Sequence, residues 1–350
     1  MDIKGIDHVE FYVGDAQQSA FYLCSAMGFR LCGENASADS RSLLLRQGRI
    51  RLLLTSALTQ DHPAAEYVRR HGDGVAVIAL ETADAEAAYR SAVSAGATAL
   101  SAPTRHGQGD TRMVTAEVAT FGDVVHRFVE RHGPRNTFLP GVVDVPTPDP
   151  EVPEDLLTVV DHLAVCLPAG TLAPTVRFYQ QVFGFQQVFE EFIEIGDQAM
   201  DSKVVQSPSG EVTFTLIEPV TGRGRGQIDD FLTRHGGAGV QHMALLTHEI
   251  VTAVQTLEGR GVRFLNVPGS YYEQLEERLG TPDLKIQELR ETQVLVDRDH
   301  WGQVFQIFTQ SMHVRRTYFM EVIDRHGART FGSGNIKALY EAVEREKVGA

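Results

Sequence analysis

The chain has 350 residues, enough for two ordinary domains with a core each, and its 43% hydrophobic and 22% charged residues are typical of a globular protein. A net charge of −14 makes nucleic acid and anionic membranes poor partners, and no apolar run approaches the ~18 residues of a membrane span. Since the amino terminus does not resemble a signal peptide and the three cysteines lack a CxxC spacing, we expect reduced thiols in a cytoplasmic protein.

The predicted elements repeat along the chain. The strand pattern GIDHVEFYV (5–13) precedes the helical pattern AQQSAFYLCSAMGF, and VVDHLAVCL (159–167) precedes LAPTVRFYQQVFGF, which ends in the same Gly-Phe. HGDGVAVIALET (71–82) returns as HGGAGVQHMALLT (235–247), and FGDVVHRFVERHG (121–133) parallels WGQVFQIFTQ (301–310). Three matches in the same order predict a duplicated α+β domain with mixed or antiparallel sheets.

A proline-rich stretch without hydrophobic periodicity separates the two copies. We therefore predict a first domain at 1–135, an extended linker at 136–154 and a second domain at 155–350. Near the end of the chain, an apolar stripe preceded by FGSG predicts a helix at 335–347, capped by Asn335, that covers a cleft.

The repeat provides an internal control for one residue. His242 lies in the apolar strand pattern GVQHMAL, and the matching residue of the first copy is Val77. Because the same strand folds with valine, packing does not require histidine at this position. His162, in contrast, is matched by His8, so the first copy has retained one histidine without its companion. We expect the first domain to be a scaffold without metal.

His162, His242 and Glu321 are the candidate metal ligands. Glu321 alternates with apolar residues in the strand pattern TYFMEVIDR, where an unpaired carboxylate would be costly to bury. Two imidazoles and one carboxylate with open coordination positions form the facial triad of non-haem Fe(II) oxygenases. Zinc remains possible from ligand type, and so do hydrogen-bonded core histidines. Other histidines, among them His235, are expected at the surface or as caps.

At these residues the chain resembles the 4-hydroxyphenylpyruvate dioxygenase family of the vicinal-oxygen-chelate superfold. The resemblance rests on VDHLAV, QIDDFLTRHGGAGVQHMAL, GQVFQIFTQ, TYFMEVIDRHG and FGSGNIKALYEAVE. It implies two tandem domains, each of paired βαβββ modules in an open barrel-like sheet, with a carboxy-terminal lid helix. It also implies Fe(II) bound by His162, His242 and Glu321, 4-hydroxyphenylpyruvate and O2 as substrates, and a homodimer.

Three departures distinguish the chain from family members that form homogentisate. Those members have proline and asparagine where this chain has Thr215 and Ile217, and phenylalanine where it has Ile336. All three changes resemble the branch that hydroxylates the benzylic carbon to give 4-hydroxymandelate. The alternatives are homogentisate formation with neutral drift at these positions, and a non-catalytic protein of the same superfold that binds a small molecule.

The same resemblance implies the remaining residues of the substrate pocket. Ser202 and Thr215 would offer hydroxyl groups, and Gln306 would orient a bound group, although a satisfied core amide is an equal alternative. The complete set of predicted substrate residues is Ser202, Thr215, Ile217, Gln306, Phe331, Ile336 and Tyr340.

Overall fold

The computed structural model describes residues 1–107, 112–132, 138, 143–144, 155–273, 275–332, 334–335 and 337. The elements of the first half are β1 (Ile3–Tyr12), α1 (Ala16–Ser25), β2 (Arg30–Ala36), β3 (Ser40–Gln47), β4 (Ile50–Ala57), α2 (Pro63–His71), β5 (Gly74–Thr82), α3 (Ala85–Ser94), β6 (Ala99–His106), β7 (Met113–Ala119), β8 (Val125–Arg131) and β9 (Val143–Asp144). Those of the second half are β10 (Val160–Cys166), α4 (Leu172–Phe178) with a π-helical turn at Tyr179–Phe183, β11 (Gln186–Ile195), β12 (Gln198–Gln206), β13 (Thr213–Pro219), α5 (Gln227–His235), β14 (Gly239–Leu246), α6 (Ile250–Gly259), α7 (Gly269–Glu273), α8 (Leu275–Leu279), α9 (Ile286–Glu291), β15 (Leu295–Arg298), β16 (Gln303–Phe308) and β17 (Phe319–His326).

Each half forms one mixed, curled sheet. The strand order is β6-β7-β8-β5-β1-β4-β3-β2-β9 in the first sheet and β11-β12-β13-β10-β14-β17-β16-β15 in the second. The two central strands of each sheet run antiparallel to each other, and each has a parallel neighbour on its outer side. The predicted α+β fold, two tandem domains of paired βαβββ modules, is confirmed.

The sheet order corrects one of the three sequence matches. Strand β8 lies parallel to β5, and β17 lies parallel to β14, so β8 and β17 are equivalent. VHRFVER (125–131) therefore corresponds to FMEVIDR (319–325). The prediction that 121–133 corresponds to 301–310 is wrong, since the strand within 301–310 is β16 and its counterpart is β7. β8 and β16 are both short strands rich in Val and Phe, VHRFVER and QVFQIF, and such composition alone is a poor guide to register.

The two domains share one continuous hydrophobic core to which both halves contribute. At their contact, helices α2 and α5 place the equivalent residues His71 and His235 against each other, with ring centroids 4.3 Å apart. Contact between equivalent residues indicates an approximate two-fold axis between the domains. His235 is only 4% exposed, so its expected place at the surface is wrong. The expectation failed because the partner of His235 comes from the other domain.

Two predicted segments lie largely outside the described residues. Within the predicted linker 136–154, Phe138 packs against Leu44 and Leu53 of the first sheet, and β9 pairs with β2. Within the predicted helix 335–347, Ile336 and Tyr340 lie outside the described residues.

The second half also carries extra helices, α7 to α9, between α6 and β15, where the first half has α3 followed by β6. This insertion explains why the spacing of the sequence repeats is not constant. Among the helices that the structure describes, none combines the length and hydrophobicity needed to cross a bilayer.

Candidate metal centre

Three strands of the second sheet bring His162, His242 and Glu321 together. The Nε2 atom of each imidazole lies 3.4 Å from Oε2 of Glu321. One ligand atom from each residue lies within 4.8 Å of the other two. The side chains are buried, and Glu321 is only 1% exposed. The three residues that the sequence singled out therefore form one cluster with the geometry of a metal site.

The register of the strands explains why these side chains meet. In β14, Ala244 is paired on one side with His162 of β10 and on the other with Glu321 of β17. His242 lies two residues before Ala244 on the same face and is paired with Ala164. Because cross-strand neighbours point to the same side of a sheet, all three ligands face the concave surface. The two small alanines between them leave room for an ion.

Asp161 and Arg325 fix the orientation of the His162 ring. Oδ1 of Asp161 lies 2.8 Å from Nδ1 of His162, and Arg325 donates to both carboxylate oxygens at 2.7 and 2.8 Å. The Arg325 guanidinium and the hydrogen bond from His162 hold the pKa of Asp161 below its usual range although burial opposes this. An ionised Asp161 keeps the proton on Nδ1 and turns Nε2 toward the cluster.

A chain of buried amides supports the carboxylate of Glu321. Gln306 donates from Nε2 to Oε1 of Glu321 at 2.7 Å, and its own Oε1 accepts from Asn335 at 2.8 Å. Asn335 in turn accepts from the Tyr271 hydroxyl at 2.9 Å. Oε2 of Glu321 is thereby left to face the two imidazoles. The Asn335 side chain, expected to cap a helix, instead bonds within this chain of polar groups.

Protonation of the two histidines differs in the absence of a cation. Burial alone would lower the pKa of His162, but the carboxylates of Glu321 and Asp161 outweigh it and raise the pKa to about 9. Burial, together with the nearby His162, lowers the pKa of His242 well below its ordinary value. The cluster therefore holds a proton next to Glu321, at the place where a cation would be most strongly attracted.

The donor set fits a divalent first-row transition metal. Two imidazole nitrogens and one carboxylate oxygen match the facial triad of non-haem Fe(II) sites. Three protein donors leave positions for further ligands, whereas a structural zinc site would be closed by a fourth protein donor. The hydrogen bonds from Asp161 and Gln306 supply the outer partners that orient such ligands.

The predicted pocket residues of β12 and β13 lie on the same concave face as the ligands. Thr215 is paired with Ala164, and Ile217 is paired with Ser202. The hydroxyl oxygen of Thr215 is buried and has no hydrogen-bond partner in the described part of the chain. Ile217 packs against Phe231 of α5. The structure thus places beside the candidate metal site an aliphatic side chain and a hydroxyl group that no described residue pairs with.

Aromatic rings border the two imidazoles. Phe331 contacts His162 edge-to-face with ring centroids 5.0 Å apart, and Phe319 stacks on His242 at 4.9 Å. Phe308 also approaches His242, at 6.1 Å. These rings exclude water from the ligands and restrict the angles that the imidazoles can adopt.

In the first domain, the positions equivalent to the three ligands carry His8, Val77 and Arg127. Only His8 is the same residue type as its counterpart in the second domain. The guanidinium of Arg127 lies 2.8 Å from Glu10 and 2.7 Å from Glu117, within hydrogen-bond distance of both carboxylates. A fixed positive charge therefore occupies the region where the second domain gathers metal donors. This arrangement supports the expectation that the first domain is a scaffold.

Three residues of the centre were not identified from the sequence alone. Asp161 precedes the ligand His162 on β10, and Arg325 follows Glu321 by four residues on β17, so their pairing is a tertiary contact across 164 residues. Their equivalents Asp7 and Arg131 make the same pair, which a correct alignment of β8 with β17 would have revealed. Tyr271 belongs to the insertion and has no counterpart in the first half.

Comparisons with a family model, with known sequences and with solved structures find relatives of the same kind. The model of the Glyoxalase/Bleomycin resistance protein/Dioxygenase superfamily matches residues 5–124 and 159–283. The 4-hydroxyphenylpyruvate dioxygenase of Yarrowia lipolytica is 33% identical over 98% of this chain and 92% of its own, and that of Danio rerio is 34% identical over 97% and 90%. A solved structure of a triply substituted 4-hydroxymandelate synthase from Streptomyces coelicolor is 42% identical, covers 99% of this chain and 100% of its own, and has a TM-score of 0.90.

Proposed function

Because this chain belongs to the Glyoxalase/Bleomycin resistance protein/Dioxygenase superfamily and, within it, to the 4-hydroxyphenylpyruvate dioxygenase family, we propose that it uses Fe(II) to convert 4-hydroxyphenylpyruvate and O2 into 4-hydroxymandelate and CO2. The bond between the carboxylate and the keto carbon breaks. One oxygen atom of O2 enters the new carboxylate, and the other becomes the benzylic hydroxyl group. The 2-oxo acid itself supplies two of the electrons that reduce O2.

In this proposal His162, His242 and Glu321 hold the iron. When bound, Fe(II) supplies O2 activation coupled to the loss of CO2. Asp161 keeps the His162 ring in one tautomer, and Gln306 directs the Glu321 carboxylate. The burial of all three ligands keeps water away from reactive species.

The observation that carries the choice of product is the side chain at position 217. Ile217 is 7% exposed and lies on the concave face, where homogentisate-forming relatives are expected to present an asparagine amide. An aliphatic group offers no hydrogen bond to a phenol, so the aromatic ring of the substrate takes another position relative to the metal. The hydroxyl of Thr215, which has no partner among the described residues, provides a different polar contact in the same pocket.

A product assay tests the proposal. The purified protein is loaded with Fe(II), given 4-hydroxyphenylpyruvate in air, and its products are separated by chromatography, because 4-hydroxymandelate and homogentisate are isomers. We expect 4-hydroxymandelate, with Glu321→Gln as the inactive control. Formation of homogentisate would refute the assignment of the product, but the protein would still be an Fe(II)-dependent dioxygenase. Iron binding without O2 uptake would favour the non-catalytic alternative.

Two further parts of the proposal concern the state of the protein in the cell. We infer a homodimer and a cytoplasmic location from the family resemblance and the reduced cysteines. Analytical ultracentrifugation of the purified chain tests the first, with a monomer as the contradicting result.

A further inference from the structure

A cavity of about 220 Å³ lies against the candidate metal centre. Its inner wall includes Gln241, whose Oε1 lies 3.2 Å from Nδ1 of His242, and Phe319, whose ring stacks on the same imidazole. Its outer wall includes Arg234, in the last turn of α5, and Arg316, in the loop before β17. The cavity therefore extends from side chains that contact a predicted metal ligand to the protein surface.

Within the part of the chain that the structure describes, the two arginines at the outer wall are free to bind an anion. Both are exposed, and neither guanidinium has a hydrogen-bond or ion-pair partner among the described residues. They also line an open depression outside the cavity, together with Val314 and Arg315. In a chain with a net charge of −14, two cations at one opening without a partner among the described residues are a local exception to the overall charge.

Neighbouring contacts fix the loop that presents Arg316. The preceding Arg315 donates to the main-chain oxygens of Arg70 and Arg69 of the first domain, at 2.5 and 3.0 Å. Arg316 itself has φ of 53°, in the left-handed region that residues with a Cβ seldom adopt. Such strain persists only where surrounding contacts enforce it, and it is concentrated at functional sites. As a result, the two consecutive arginines have different roles. Arg315 holds the loop against the first domain, and Arg316 faces the cavity.

We propose that Arg234 and Arg316 form an anion-capture site at the mouth of this cavity, which attracts the carboxylate of the 2-oxo acid before it reaches the metal centre. The inference rests on the proposed function for the identity of the acid. The carboxylate of Asp230 also lines the cavity, but the guanidinium of Arg225 lies 3.0 Å from it and offsets its charge. The remaining field at the opening is positive and attracts monoanions.

Charge-removing and charge-retaining variants test the capture site. Removal of both charges, in Arg234→Gln/Arg316→Gln, is expected to lower kcat/KM for 4-hydroxyphenylpyruvate about tenfold at low ionic strength and to leave kcat within about twofold. Arg316→Lys should retain most of the wild-type kcat/KM, because the charge is kept. Arg105→Gln, on the exposed strand β6 of the first domain, is the matched control and should behave as wild type.

Salt and direct binding separate this inference from the proposed function. The difference in kcat/KM between wild type and the double variant should shrink at high salt, where screening removes long-range attraction. Calorimetric titration of the anaerobic Fe(II)-loaded protein with 4-hydroxyphenylpyruvate should show weaker binding to the double variant. If wild type turns over the acid and the double variant has the same kcat/KM as Arg105→Gln at low salt, the capture site is refuted and the proposed function stands. If iron-loaded wild type does not bind the acid, both proposals fail.

Discussion

Replacing Gln306 with leucine should weaken metal binding without changing any ligand. The Gln306 amide donates to Glu321 at 2.7 Å, and the two side chains are 2% and 1% exposed, so water cannot replace the lost donor. A hydrogen bond to a charged group contributes about 1.5–3 kcal/mol. At 1.4 kcal/mol for each factor of ten, the dissociation constant for Fe(II) should rise about 10- to 100-fold.

The assay is an anaerobic calorimetric titration of the metal-free protein with Fe(II), paired with a measurement of thermal stability. Gln303→Leu is the matched control. Gln303 lies three residues earlier on β16 with 3% exposure, and its amide bonds to Asp283 and Thr281 rather than to a ligand. Both variants should lose stability, because each leaves buried polar groups unpaired. Only Gln306→Leu should lose metal affinity.

Two results would refute this reasoning. Equal metal affinity in Gln306→Leu and wild type would show that Glu321 holds its position without the amide. An equal loss of affinity in both glutamine variants would show that the effect arises from general destabilisation of the strand.

Asp161→Asn should weaken Fe(II) binding about 10- to 100-fold, because the carboxylate orients a ligand histidine; Asp7→Asn, the same change in the first domain, should leave the affinity unchanged in the same titration. Ile217→Asn should divert part of the product to homogentisate, and an unchanged ratio on chromatography would remove this position from the control of ring placement. Burial lowers the pKa of His126 to about 3, so the unfolded chain takes up a proton as the pH falls below 6.5 while the folded chain does not, and stability is lost in that window. Because of this group, the free energy of unfolding measured with urea should be about 2 kcal/mol lower at pH 5 than at pH 7. His126→Phe should reduce the difference between the two pH values by that amount.

The sequence predicted much of the fold and the donor cluster because both leave local signals. Repeated strand and helix patterns indicated the duplication, and the valine that matches His242 showed that packing alone does not require a histidine. The alternation around Glu321 placed it correctly on the face shared with Phe319 and Ile323. Each of these signals lies within a few consecutive residues, where periodicity is informative.

The contacts that orient the ligands could not be predicted in this way. Gln306 meets Asn335 across 29 residues, and Arg325 meets Asp161 across 164. Such pairs depend on strand order and register, which similar apolar patterns do not determine. The erroneous match of 121–133 with 301–310 has the same cause. It concealed the equivalence of Arg127 and Glu321, and with it the clearest difference between the two domains.

The ion pairs of Arg127 limit how the first half of the chain can change over time. Exchanging Arg127 for glutamate alone would place a third acid beside Glu10 and Glu117 in a largely buried pocket with no cation to balance them. Introducing a histidine at Val77 alone would put an imidazole in an apolar strand with no partner metal. Each of these two changes therefore costs stability before the first half gains a complete set of metal donors. The differences between the two halves are therefore stabilised by the ion pairs that fold the first half, and not only by the donor set of the second.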